Sequence, residues 1–259
     1  MSWLLLGGRF CVEIAAGTIA ALALVPPAPV GPPFYRVACA LALVPLLLGA
    51  WLLHVEGALT TAIGFALAIT VVALPFFAWP TKGKSRWVAL AVAVGASSAA
   101  VVLGAAPSSE ANVAARSLAA ASALASGLVV GATGIAMTLG HAYLTYPNLR
   151  IDHLIRLNRA TAVVFLARAA LVAAAVVLVA RSYEPLDRAL ATTGVWLGLF
   201  TRVAVGLAAP LVFAGLVASC LRHRNTRSAT GILYASTVLV LIGEAVAVSM
   251  RGQAGGIPL

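Results

Sequence analysis

Ala58–Trp79 reads ALTTAIGFALAITVVALPFFAW, and Pro80–Arg86, which follows it, reads PTKGKSR. The first stretch carries no charge, and its only hydroxyl side chains are threonines. Wound as a helix at 1.5 Å per residue it is about 33 Å long, which matches the hydrocarbon core of a bilayer. The second stretch sets three positive charges, Lys82, Lys84 and Arg86, beside a proline and a glycine. An uncharged span followed by a basic, breaker-rich loop is the unit from which helical membrane proteins are built.

The unit recurs along the chain. Apolar spans fall at about 4–25, 35–53, 58–79, 87–106, 113–141, 160–180, 190–221 and 229–250. The prolines Pro26, Pro27, Pro29, Pro32 and Pro33 forbid helix and predict an extended first loop. Pro107 and Pro185 mark two later loops. The fifth span meets no breaker until Pro147, so a helix from Val113 would be about 51 Å long and must tilt or project. Leu149–Leu157 mixes charge with apolar residues and suits either a short interfacial helix or a polar loop. Ser228 is the expected N-cap of the last span.

Composition agrees. Of 259 residues, 62% are hydrophobic and 9% charged, against about 25% charged in a soluble domain. The expected fold class is therefore all-α: one polytopic integral membrane helical bundle of about eight transmembrane helices, residues 1–259 forming a single transmembrane domain. Loops on one side carry Arg36, Lys82, Lys84, Arg86, Arg150, Arg156, Arg159, Arg222, Arg224 and Arg227, whereas those on the other carry Arg116, Arg181, Arg188 and Arg251. The positive-inside rule then puts both termini on the outer side, in a bacterial cytoplasmic (inner) membrane. The net charge of +10 is assigned to anionic lipid and not to nucleic acid. The expected partners are lipids, other membrane subunits or further copies of the chain.

Five ionisable residues break the apolar rule inside the spans: Arg9, Glu13, Arg168, Arg202 and Glu244. Each costs about 2.5–3.5 kcal/mol at the centre of a bilayer, so such residues pair or serve a function. Counting along the spans puts Arg9 and Glu244 at one level, about 8 Å deep, with Glu13 a turn deeper and Arg168 and Arg202 near the middle. The expected pairs are Arg9 with Glu244 and Glu13 with Arg202, with Arg168 the alternative partner at the middle level. One arginine is left over, for an anionic or carbonyl-bearing ligand, for a proton path, or for backbone carbonyls at a helix break. Pro210 lies two turns beyond Arg202 and frees a carbonyl.

His141, Tyr143 and Tyr146 form a candidate interfacial pocket. A haem held by His54 and His141 is disfavoured, because the two lie about 25 Å or more apart along the membrane normal; a quinone remains compatible with the charged cluster. No metal-ligand spacing occurs, and Cys11, Cys39 and Cys220 read as small buried hydrophobes. Nucleophile-elbow and phosphate-loop motifs are missing, so nothing points to independent catalytic activity. Two functions follow as expectations. The first is an integral membrane subunit of a larger complex, related to electron transport through a quinone or to a proton pathway. The second is a small transporter or channel for an anionic or polar solute, with Arg168 or Arg202 as its contact. Internal two-fold pseudosymmetry would favour the second, and no repeat is visible in the sequence. Gly127 with Gly131, and Gly194, Gly198 and Gly206, form small-residue rows for close helix packing.

Overall fold

A computed structural model describes residues 2–25, 30–78, 84–105, 113–146, 149–182 and 193–253. They form eight helices long and apolar enough to cross a membrane, and no strands. In chain order these are α1 (Trp3–Leu22), α2 (Pro32–Val55), α3 (Thr61–Ala78), α4 (Lys84–Ala105), α5 (Val113–Thr145), α6 (Asp152–Ser182), α7 and α8 (Thr226–Gln253). α7 is composite: Thr193–Phe200, a π-helical segment Thr201–Ala208, then Ala209–Arg222. The expected loop residues Pro26, Pro27, Pro29, Lys82, Pro107, Pro147, Glu184 and Pro185 lie outside the described residues.

Three boundaries correct the sequence reading. Pro32 and Pro33 open α2 and are not loop, because a proline in the first helical turn loses no hydrogen bond and has a suitable φ. α6 starts at Asp152, so most of the Leu149–Leu157 segment is the first part of a long helix and is neither a separate short helix nor a loop. Leu154 and Leu157 are fully buried and tie those turns to the core, and Asp152 suits the positive end of the helix. α8 starts at Thr226, one turn ahead of its expected start, with Asn225 Oδ1 accepting from the Ser228 N–H at 3.1 Å. Asn225 is thus the cap, and Ser228 is the residue it caps.

Neighbouring helices pack in two rings. α1–α2, α2–α3, α3–α4 and α4–α1 are in contact, and so are α5–α6, α6–α7, α7–α8 and α8–α5. The rings meet where α1 crosses α5, flanked by α4 against α5 and α8 against α1. That pattern of neighbours is two-fold, with α1 and α5 as counterparts. The seam is also the best-covered part of the bundle: 56% of the α1 span and 61% of the α5 span is buried, against 28–39% elsewhere. Glycines make it close. A Cβ on Gly17 would stand 1.8 Å from the Gly127 carbonyl oxygen, and one on Gly131 2.1 Å from the Gly17 carbonyl carbon, so the backbones touch without side chains between them.

The two ends of the bundle are marked by polar contacts. At one end Ser2 Oγ donates to Glu56 Oε2 at 2.6 Å. At the other, Arg86 lies over the rings of Tyr35 and Phe77 at 4.5 and 4.6 Å, and Arg156 donates to the Leu24 carbonyl at 3.0 Å. Outward-facing positions are apolar: Phe65, Val44, Leu197 and Trp51 are 60–68% exposed. Hydrocarbon, not water, suits such an exterior.

Candidate functional site

The buried charges gather where α1, α5, α6, α7 and α8 come together. Arg168, wholly buried on α6, forks onto Glu244 of α8: Nε donates to Oε1 at 3.1 Å and Nη2 to Oε2 at 2.9 Å. Its remaining nitrogen, Nη1, donates to the Ser122 carbonyl at 2.9 Å and to Ser122 Oγ at 2.6 Å. Ser126, one turn further along α5, donates from its hydroxyl to Glu244 Oε2 at 2.8 Å. Every nitrogen of Arg168 and both oxygens of Glu244 are therefore taken, in the planar geometry that favours arginine over lysine.

Glu13 has a different partner. Arg251, in the last turn of α8, donates from Nη1 to Glu13 Oε1 at 2.9 Å. Arg9 lies beside this pair at a cleft of about 20 Å³ between α1, α2 and α4, lined by Arg9, Val12, Glu13, Leu53, Val101 and Gly104. That is room for about one water.

Both expected pairings are thus corrected. Glu244 meets Arg168 and not Arg9, and Glu13 meets Arg251 and not Arg202. The cause is the helix boundaries. α6 begins eight residues earlier than expected, which carries Arg168 about 12 Å further from the start of its helix and level with Glu244. α8 runs on to Gln253, so Arg251, expected in a tail, is part of the bundle. Arg9 lines the cleft between α1, α2 and α4 and makes no ion pair with Glu244.

Arg202 is the arginine left over. It is 1% exposed, and none of its three guanidinium nitrogens has a hydrogen-bond partner among the described residues. It sits at the second position of the π-helical segment, within electrostatic reach of Arg168, Glu244, Arg251 and Glu13. Two features shape the helix there. Pro210 has no N–H to offer the carbonyls of the preceding turn, and the Ala209 N–H reaches back five residues to the Ala204 carbonyl. Gly206 lies against Gly243 of α8, where a Cβ would come within 2.7 Å of the Gly243 Cα. Wide turns of this kind recur at functional sites. The cluster as a whole holds four guanidinium groups (Arg9, Arg168, Arg202, Arg251) and two carboxylates (Glu13, Glu244), an excess of positive charge.

The interfacial trio does not share one environment. Tyr143 is buried and donates to the Arg150 carbonyl. His141 is exposed, with Nδ1 3.1 Å from the Tyr234 hydroxyl, and Tyr146 is exposed. His54 follows Leu53 near the Ser2–Glu56 end, and His141 stands near the opposite end of the bundle. Sequence reading missed Ser122, Ser126 and Arg251. The signals were present: two serines four residues apart on α5, and an arginine seven residues after Glu244, two turns along the same helix face. Comparisons with protein-family models, curated proteins and solved structures find no match.

Proposed function

We propose that this chain is a multi-pass protein of the bacterial cytoplasmic membrane that takes a small anion at Arg202, as a transporter or channel for an anionic solute. The observation that carries the reading is a fully buried guanidinium whose three nitrogens have no partner among the described residues, in a cluster with surplus positive charge. Leaving one buried ion uncompensated costs several kcal/mol, and an anion arriving at Arg202 offsets that cost. The two-ring pattern of helix neighbours supports a transporter in general, because carriers are often built from two related repeats.

A second reading has its own observation. The water-sized cleft is lined by Arg9 and Glu13, and Glu13 is paired in turn with Arg251, a succession of charged groups that a proton path in a subunit of an electron-transport complex would use. Purification from the native membrane, with copurifying chains and the absorption spectrum recorded, separates the two: a haem or quinone partner favours the subunit.

Anion binding is tested by thermal unfolding of the detergent-solubilised protein across a panel of sodium salts at fixed ionic strength. A ligand at 100 times its Kd stabilises by about 2.7 kcal/mol. The expected result is a saturable rise in Tm that Arg202→Gln abolishes and Arg9→Gln retains. An equal rise in Arg202→Gln rejects the site.

A further inference from the structure

A groove of about 260 Å³ lies between α3 and α4 at the arginine end of the bundle. Ala73 and Phe76 of α3 line it, with Ser85, Val88, Ala89 and Val92 of α4. Phe76 and Val88 are 59% and 60% exposed, so its walls belong to the hydrocarbon-facing exterior. From Ser85 to Val92 it follows α4 for about 10 Å, about a third of the thickness of a bilayer core. Its mouth is basic. Lys84 and Arg86 flank Ser85 in the first turn of α4, which holds no acidic residue, and Lys82 precedes them in the sequence. Arg86 is held over the rings of Tyr35 and Phe77 at 4.5 and 4.6 Å. Asp152 is the only described carboxylate at this end, and Arg150 takes it at 3.0 Å. No described residue is left to neutralise the mouth of the groove.

We infer that this groove is the seat of one anionic phospholipid, with an acyl chain between α3 and α4 and the phosphate beside Lys84 and Arg86. The site is separate from the cluster around Arg202 and does not depend on the anion reading. Packing favours a lipid chain over a helix of another protein. Helices associate within a bilayer through rows of small residues that let backbones approach. The outward row of α3 along the groove is Phe65, Ile69, Val72 and Phe76, each 47–68% exposed. A spanning helix would ride on those side chains beyond the short groove, whereas a flexible chain can enter it. Hydrocarbon fills any such groove, because an empty one forfeits van der Waals contacts. The chain alone therefore selects nothing, and selection falls to the headgroup. A net negative headgroup meets the uncompensated charge of Lys84 and Arg86, which a zwitterionic one matches less well.

Native mass spectrometry of the purified full chain tests the inference. The protein is equilibrated in detergent with equal amounts of phosphatidylglycerol and phosphatidylethanolamine of the same acyl chains, and the lipid retained is read from the mass. The expected result is one retained lipid, with phosphatidylglycerol favoured by about 5-fold or more, the weight of one basic residue near an anionic headgroup. Lys84→Gln should cut that preference by about 5-fold, whereas Arg224→Gln, an exposed charge at the same end, should leave it unchanged. Ala89→Phe puts a ring into the groove and should abolish retention of both lipids. Val44→Phe, at a position 66% exposed on α2, should retain them. Equal retention of the two lipids, or retention unchanged in Ala89→Phe, overturns the inference. So does a preference that Arg224→Gln lowers as much as Lys84→Gln, which would make the attraction a property of the whole basic end. A dimer mass that Ala89→Phe splits overturns it too, by making the groove an interface between copies of the chain. Should Ala89→Phe not fold, the comparison of Lys84→Gln with Arg224→Gln decides alone.

Discussion

At the scale of single residues, the cluster separates a satisfied pair from an unsatisfied group. Arg168 and Glu244 hold each other with two parallel hydrogen bonds and use serines of α5 for the remainder. A buried pair of this kind adds little net stability over apolar side chains, but breaking it strands a charge. Glu244→Gln is therefore expected to destabilise by about 3–5 kcal/mol. The double variant Arg168→Met, Glu244→Leu should lose less than the single, measured by unfolding in mixed detergent micelles. Additive losses would show that the two residues do not act as a pair. Four buried charges, Glu13, Arg168, Arg202 and Glu244, and the half-buried Arg9 were legible in the sequence, since a charge amid apolar residues stands out by type alone. Their partners were not. Pairing depends on which turn of one helix stands level with which turn of another, and a helix start misplaced by eight residues shifts that level by about 12 Å. Arg251 was missed for a related reason: at the end of an apolar run, a basic residue that snorkels to the surface and one that turns inward look the same.

At the scale of the helix, existence was legible and shape was not. Apolar runs bounded by prolines and arginines located all eight spans, because transfer to hydrocarbon is a property of composition. The π-helical segment of α7 left no such mark. It arises from tertiary circumstances, a close crossing at Gly206 and Gly243 together with a proline one turn later. Those glycines, and Gly17 with Gly127 at the α1–α5 seam, differ in kind from Gly134 and Gly215, where a Cβ would meet nothing within 4 Å. The difference is testable. Gly17→Ala and Gly206→Ala must push two backbones apart and are expected to cost about 1–3 kcal/mol or more. Gly134→Ala and Gly215→Ala should be neutral, or stabilising by about 0.4–1 kcal/mol, because alanine restricts the unfolded chain. Thermal unfolding of the four variants side by side checks this, and equal losses would mean that the helices do not cross at the glycines. Gly206→Ala should in addition weaken anion binding, since separating α7 from α8 displaces the helix turn that carries Arg202.

At the scale of the whole molecule, the remaining question is which end of the bundle faces the cytoplasm. The positive-inside argument counts only charges free to interact with the membrane surface. Arg251 was counted against the cytoplasmic assignment of the odd loops, yet it is ion-paired with Glu13 inside the bundle at 2.9 Å and drops out of the count. Arg150 drops out by the same criterion, being paired with Asp152 at 3.0 Å, and the excess on the odd loops keeps its direction. Arg156 and Arg86 mark one end, and Ser2 with Glu56 the other. Ser85, exposed at the start of α4, belongs to the arginine end, and Ser182, the last residue of α6, belongs to the Ser2 end. The native cysteines are buried or half-buried and can be replaced first as Cys11→Ala, Cys39→Ala and Cys220→Ala. In that background Ser85→Cys should react with a membrane-impermeant maleimide only in inverted vesicles, and Ser182→Cys only in intact cells. Labelling of both from one side would break the alternation of eight crossings, because three helices separate the two positions. The reverse pattern would keep the bundle and turn it over. The charged cluster reaches toward the Ser2 end, since Arg9 falls in the second turn of α1 and Arg251 in the last turn of α8. Labelling that puts Ser182 outside therefore also puts the Arg9 and Arg251 end of the cluster outside, the side from which an anion taken up by the cell would arrive.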